Sequence, residues 1–304
     1  MTGIPAIALE DYELAQLPSD DDVRFYERHG WYVTDKVLSD EAIDRAREGA
    51  KRLYRGERDM DLPVASGFSN WKPEDGDTLR NNEFASLQIR EIDQLIREPV
   101  IGAIAARLAR TKSIRLLDDQ LVYKPPRDEY ADRDDSDDTI VGWHADHAYW
   151  ATCSSSDLLT AWIPFHDVDE DRGPLVVMDG SHKWTDLEHS RFFNNTNLAE
   201  VADIYRDGRE LKPVSLTLKK GQISFHHCWT LHASLANRSD RPRLALAAHL
   251  QDEANAYRQY RNDSGQEIHI FDETLCRRLP NGDPDFSDPK VFPTLWSESG
   301  LRGA

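Results

Sequence analysis

The sequence predicts an α+β fold, on two observations. Up to about residue 112, capping residues and apolar spacing mark helices. From Ser113 onward, short β-rich runs alternate with Gly, Pro and Asp punctuation. With no internal repeat or low-complexity linker, 304 residues suffice for one large domain with a substantial core. The expected organisation is a single unit, 1–304, with a helical part over about 1–112, a β core over about 113–251 and a C-terminal extension over about 252–304.

Ser19 is placed to cap a helix over Asp20 to His29, with Gly30 as its left-handed stop. Trp31 to Val33 read as a short strand. Ser39 caps a second helix from about Asp40 to Arg58, and Phe84 to Arg110 read as two helices broken near Pro99, a residue suited to a first helical turn. The expected strands are Ile114 to Tyr123, Val141 to Trp150, Leu158 to Phe165, Leu175 to Met178, Val214 to Leu218, Gln222 to His226, Leu231 to Leu235 and Arg243 to Gln251. Short strands at this spacing suggest a double-sheet jelly roll or a barrel, with the N-terminal helices covering one sheet.

The net charge of −18 opposes binding to nucleic acid and anionic membranes, and weighs against polyanionic substrates such as acyl-CoA. No apolar run is long enough to span a bilayer, and the N-terminus lacks a basic, apolar leader pattern. Cys153, Cys228 and Cys276 form no CxxC pair, which points to a reducing, cytoplasmic setting. The run 128–138 (DEYADRDDSDD) has seven acidic side chains. It reads as a solvated loop, with a lid over a cationic or neutral substrate as the functional alternative. Calcium is a lesser option because EF-hand spacing is missing.

The densest chemistry lies in GWHADHAYW, 142–150. On a strand, His144 and Asp146 share a face and His147 points away. One imidazole and one carboxylate on a common face make two thirds of a facial metal site, which a histidine from another strand would complete. In GQISFHHCWTLHASLANRSDRPR, 221–243, the alternation about His232 puts His232 and Ser234 on one face. Arg243 lies eleven residues beyond His232 in a β run without an obvious carboxylate partner. A ligand carboxylate, with the Ser234 hydroxyl assisting, would satisfy its fork. His226 and His227 flank Cys228 but have no second ligand pair to form a zinc site. His147 is expected to be structural and His182 to bond within its own turn. Tyr149 and Trp150 are expected in core or pocket wall.

Taken together, the HxD pair, the distant His and the Arg eleven residues later resemble the phytanoyl-CoA dioxygenase (PhyH-like) family of Fe(II)- and 2-oxoglutarate-dependent oxygenases. The resemblance runs in order through QLVYKPP at 120–126, the GWHADHAYW block, TAWIP at 160–164, RGPLVV at 172–177, GSHK at 180–183 and the segment 221–234. It implies a jelly-roll core, with His144, Asp146 and His232 as catalytic iron ligands. It also implies that Arg243 and Ser234 hold the distal carboxylate of 2-oxoglutarate, while Trp162 and Gln120 border that pocket. Departures are Asp179 where the family usually has proline, Ala145 between the ligands where glutamine is frequent, and a long acidic insertion. Relatives that use chloride replace the carboxylate ligand with glycine or alanine; Asp146 therefore implies hydroxylation with O2 and not halogenation.

The substrate is expected to be a small polar molecule, amino-acid-derived or another natural-product intermediate. Its selection would fall to Trp184, Arg191, Phe192 and Phe193, to Phe68, Trp71, Arg80 and Asn81, and to the C-terminal segment. An acyl-CoA or carrier-bound acyl substrate is the alternative of the same chemistry, and a non-catalytic jelly-roll binding protein the alternative of another class. Monomer and homodimer are equally open.

Overall fold

The computed structural model describes residues 9, 11–64, 71, 73–127 and 139–298. The expectations attached to Phe68 and to the acidic run 128–138 fall outside them.

Among the described residues the helices are α1 (Asp11–Leu14), α2 (Asp20–His29), α3 (Asp40–Tyr54), α4 (Ala85–Gln88), α5 (Arg90–Ile96), α6 (Pro99–Leu108) and α7 (Leu198–Ile204). The strands are β1 (Trp31–Val33), β2 (Arg80–Glu83), β3 (Ser113–Lys124), β4 (Val141–His144), β5 (Leu159–Pro164), β6 (Leu175–Met178) and β7 (Pro213–Leu216). They continue with β8 (Ser224–His227), β9 (His232–Ser234), β10 (Arg243–Asp252), β11 (Tyr260–Arg261), β12 (Glu267–Ile268) and β13 (Thr294–Ser297). No helix among these residues is long and apolar enough to cross a membrane. The three cysteines are buried and unbridged.

The helix signals act as expected at α2. The Ser19 hydroxyl accepts from the Asp22 amide and the Asp22 carboxylate accepts from the Ser19 amide, a reciprocal cap worth roughly 1 kcal/mol. Gly30 closes the helix at φ +79°, and a Cβ there would lie 2.3 Å from His182 Nδ1. Helix α3 ends at Tyr54, short of Arg58. Arg58 turns back instead, its Nη1 donating to the Leu53 carbonyl. The 84–110 stretch forms three helices rather than two, because Ile89 is extended (φ −133°) and separates α4 from α5; Pro99 does open α6.

Two antiparallel sheets result. The larger has the order β1-β8-β5-β10-β3-β13, with β2 also on β3, and the smaller has the order β4-β9-β6-β7. Strand alternation divides the larger sheet. Ala161, Ile163, Leu246, Ala248 and Phe225 pack against α2, α3, α5 and α6 in one core cluster. On the other face, Trp162, Ala245 and Ala247 pack against Leu175, Val177 and Leu216 of the smaller sheet. The smaller sheet's outer face, with Val176, Met178 and Ala233, is covered by Val201 of α7 and by Tyr205. Strands β2 and β13 carried no clear alternation signal. β2 (RNNE) is polar, and β13 lies in the extension yet pairs with β3. The polar groups of the site lie in the space between the two sheets.

Candidate metal centre

Strand β4 pairs antiparallel with β9, with His144 opposite His232, and the two rings lie 4.1 Å apart. The strand expected over 141–150 stops at His144. Ala145 is still extended (φ −113°, ψ 130°), so the alternation holds for one more residue, and then Asp146–Ala148 form a 3₁₀ turn. His144 and Asp146 therefore converge as the pattern predicts, although the strand is six residues shorter. Gly142 makes this possible from the other side. A Cβ there would lie 2.0 Å from the Phe192 carbonyl oxygen, so only glycine lets 190–195 run along β4. That segment delivers Arg191 and Phe193 to the site.

One donor atom each from His144, Asp146 and His232 lies within 4.8 Å of the others, and all three residues are buried. Nε2 of His144 is 3.6 Å and Nε2 of His232 is 3.5 Å from Asp146 Oδ1. Each ring donates Nδ1–H to a carbonyl two residues upstream, His144 to Gly142 (2.8 Å) and His232 to Thr230 (2.9 Å). This fixes the tautomer and turns both Nε2 lone pairs inward. Burial depresses the pKa of both histidines, His232 strongly, so the rings are neutral as metal ligands must be. Burial acts to raise the Asp146 pKa, but His232 and the hydrogen bond from His226 overcome it and hold the carboxyl well below its usual range. Two imidazoles and one carboxylate converging in this way suit a divalent transition metal.

Around Asp146 lies a set of residues that the sequence reading missed. Oδ2 accepts from Thr160 Oγ1 (2.6 Å) and from His226 Nε2 (3.1 Å), and His249 Nδ1 donates to Thr160 Oγ1 (2.8 Å). Oδ1 is left for the centre. The register of β8-β5-β10, with His226 beside Thr160 and Thr160 beside His249, brings the three together. Their signal in the sequence was polar residues on the inward phase of otherwise apolar strands. His226 is thus a partner of Asp146, not part of a cysteine–histidine zinc site.

Arg243 is 1% exposed, on β10. Nη2 donates to Ser234 Oγ (3.3 Å), Nη1 reaches the Val122 carbonyl at 3.5 Å, and Nε is buried without a partner among the described residues. The guanidinium lies 5.5 Å from the Trp162 ring centroid, and burial lowers its pKa to about 9. A buried, incompletely paired fork next to the triad is built for a ligand carboxylate. Trp162, Gln120, Ser234 and Arg243 line one chamber together with all three triad residues. Gln120 also lines a second chamber of about 350 Å³ over His144 and Asp146, walled by Tyr149, Trp150, Phe193 and Arg191.

Other expectations fare unevenly. His147 stacks on Trp229 and bonds to the Ser155 carbonyl, a structural role. His182 bonds to the Glu27 carbonyl at the end of α2, not within its own turn, because Gly30 brings that helix end against it. Phe192 packs with Tyr205 outside the smaller sheet. Arg80 lies over Tyr54, Trp71 and Tyr123, a cation held by aromatic faces, while its neighbour Asn81 does line the larger chamber. Trp184 lines a separate cavity with Trp229 and Arg258.

Residues 26–245 match the phytanoyl-CoA dioxygenase (PhyH) family. Peroxisomal phytanoyl-CoA dioxygenase of Mus musculus is 26% identical over 238 residues, 74% of this chain and 66% of the mouse protein's length. A probable α-ketoglutarate-dependent hypophosphite dioxygenase of Stutzerimonas stutzeri is 27% identical over 225 residues, 71% of this chain and 72% of that protein. The crystal structure of SnoK, a non-heme α-ketoglutarate-dependent carbocyclase from nogalamycin biosynthesis, superimposes with a TM-score of 0.67 at 26% identity. It covers 91% of this chain and 96% of its own. The family match takes in all three triad residues and Arg243, and the chain belongs to the phytanoyl-CoA dioxygenase family.

Proposed function

We propose that this protein is an Fe(II)- and 2-oxoglutarate-dependent oxygenase that hydroxylates an aliphatic C–H bond of a small polar, amino-acid-derived molecule. The observation that carries the reading is the His144–Asp146–His232 triad with a buried, under-paired Arg243 in the same chamber. The two facing sheets are read as the halves of a jelly roll, and residues 1–304 as one catalytic unit.

His144, Asp146 and His232 would hold iron, which with 2-oxoglutarate and O2 supplies the oxidising power that amino-acid side chains lack. The protein's own work is positioning. Gly142 and Thr230 carbonyls aim the two imidazoles, and Thr160 and His226 hold one oxygen of Asp146 so that the other faces the metal. Arg243 and Ser234 grip the distal carboxylate of 2-oxoglutarate, with Trp162 and Gln120 along its length. Trp150 and Phe193 keep the substrate side dry. With Asp146 available as a third protein ligand, no position would be opened for halide, which favours hydroxylation over halogenation. An acyl-CoA substrate fits less well, because the chamber over the triad is walled by Glu83, Asp118 and Asp272.

The test is anaerobic Fe(II) titration followed by succinate release from 2-oxoglutarate in air over a substrate panel, with product mass read out. One tightly bound iron, succinate formation and a gain of one oxygen atom are expected. Failure to bind iron, or no succinate with any substrate, would leave a non-catalytic binding protein. A chlorinated or dehydrogenated product would overturn the hydroxylation.

A further inference from the structure

The chamber over His144 and Asp146 has an acidic wall that the iron chemistry does not use. Asp118 comes from β3, Asp272 from the 3₁₀ turn Phe271–Thr274, and Glu83 from β2. Asp118 is 4% exposed and Asp272 5%. Oδ1 of each is buried with no hydrogen-bond partner among the described residues. The neighbouring side chain shows what a finished pairing looks like here: Asp119, on the opposite face of β3, takes the Ser86 amide (3.1 Å) and hydroxyl (2.5 Å). The register places Asp118 beside His249, on the face that holds the triad. The only permanently positive side chain among the described residues lining the chamber is Arg191, over Tyr149 (5.7 Å); of its histidines, His249 is neutral through burial and bonded to Thr160, and His269 is bonded to Glu273 at 2.8 Å.

An unpaired buried carboxylate oxygen is costly, and two of them on one chamber wall call for a partner that arrives from outside. Such a partner must donate hydrogen bonds and carry positive charge. We infer that Asp118 and Asp272, with Glu83 at the rim, form the recognition site for a protonated amine of the substrate. The inference rests on the oxygenase reading and narrows its substrate to a cationic or zwitterionic amine. Arg191, elsewhere on the same chamber wall, suits the acidic end of a zwitterion. The amine would be held beside the triad by charge-assisted hydrogen bonds, so that oxidation falls on a carbon within a short chain of the nitrogen.

The test uses the full-length protein with Fe(II) and 2-oxoglutarate under nitrogen. Equilibrium dialysis is run against n-butylammonium, putrescine and L-ornithine, and against n-butanol and n-butyrate as neutral and anionic counterparts. The amines are expected to bind at least about tenfold more tightly than the alcohol. Asp118→Asn and Asp272→Asn should each remove most of that preference while leaving n-butanol binding unchanged. Both variants take away a desolvated charge, so their thermal unfolding should be no earlier than the parent's, and Glu83→Gln at the rim gives a milder third reading. Absence of any amine preference, including no amine binding at all, overturns the inference, as does a preference that survives in the Asp118→Asn/Asp272→Asn double variant. Iron retained in the same dialysis bags without amine preference removes the amine site and leaves the metal centre. Amine preference without iron retention does the reverse.

Discussion

Two sets of buried carboxylates line the same interior and are treated in opposite ways. Asp146 has one oxygen held by Thr160 and His226, the other facing two neutral imidazoles, and a pKa held well below the usual range. Asp118 and Asp272 each keep an orphan oxygen, and burial pushes both upward, aided by the charge of Asp272 at Asp118 and by those of Glu83 and Glu273 at Asp272. The first arrangement suits a resident cation: one oxygen of Asp146 is hydrogen-bonded before anything binds, although Nδ1 of His226 behind it is buried without a partner among the described residues. The second is strained in the free protein and is relieved only by a partner. A site for a tightly held metal and a site for a transient ligand can thus be told apart by how their hydrogen bonds are satisfied.

The sharpest way to break this comparison is to remove Asp146. Asp146→Gly should abolish product formation, a loss of roughly a thousandfold or more, because a metal centre supplies several kcal/mol of the barrier reduction. It should also weaken Fe(II) retention in dialysis. Undiminished turnover would sink the ligand assignment. Arg243→Ala comes next. Deleting the fork removes charge-assisted hydrogen bonds worth about 1.5–3 kcal/mol, so the KM for 2-oxoglutarate should rise roughly tenfold to a hundredfold. Iron affinity should hold, since Arg243 touches none of the triad hydrogen bonds. Thr160→Val tests the support of Asp146. It keeps the shape, deletes the 2.6 Å bond, and leaves His249 Nδ1 without its acceptor. Fe(II) affinity should fall by about tenfold, the lower end of what such supporting residues contribute. An unchanged affinity would mean that His226 alone holds the carboxylate.

The contrast also explains what the sequence could and could not disclose. The triad was legible because a two-histidine, one-carboxylate cluster follows short-range rules: alternation carried His144 and Asp146 to one face, and the strand phase of His232 and Ser234 supplied the rest. Alternation succeeded even though β4 ends at His144, since it needed only Ala145 to stay extended. Arg243 was legible as a charge in an apolar strand. The helix ends were legible at Ser19, Gly30 and Pro99, where a single side chain or its lack decides the backbone. Thr160, His226 and His249 were not, because their meaning lies in the register between β8, β5 and β10, which no one strand encodes. The acidic wall was further out of reach. Asp118 and Asp119 are adjacent and chemically identical, and only the three-dimensional position of Ser86 makes one satisfied and the other not. The role of β13 was hidden for a like reason, its partner β3 lying some 180 residues earlier.

The mildest test turns on stability, and its sign is opposite for the two sets. In the free protein Asp272 titrates near 7, raised mainly by burial, against about 3.9 for an unfolded aspartate. A carboxyl with a raised folded pKa favours the folded state only while it is protonated. Its contribution is therefore full below about pH 4, declines as the unfolded chain ionises, and is lost by the time pH passes 7. The ligand-free parent should lose stability on this account between about pH 4 and 7, and Asp272→Asn should not. At pH 8 the variant should melt roughly 2–4 °C later than the parent, with the gap closing towards pH 4. Asp146 behaves in the reverse sense, since its depressed pKa makes the ionised form stabilising and acid removes that contribution. Melting curves of the parent, Asp272→Asn and Asp146→Asn over pH 2–8, without metal, should therefore separate in different windows: Asp272→Asn gains on the parent as pH rises from about 4 to 7, whereas the parent loses the Asp146 contribution only as pH falls below about 4. Parallel curves would mean that Asp272 finds a partner in the free protein, and the distinction between the two sets of carboxylates would fall.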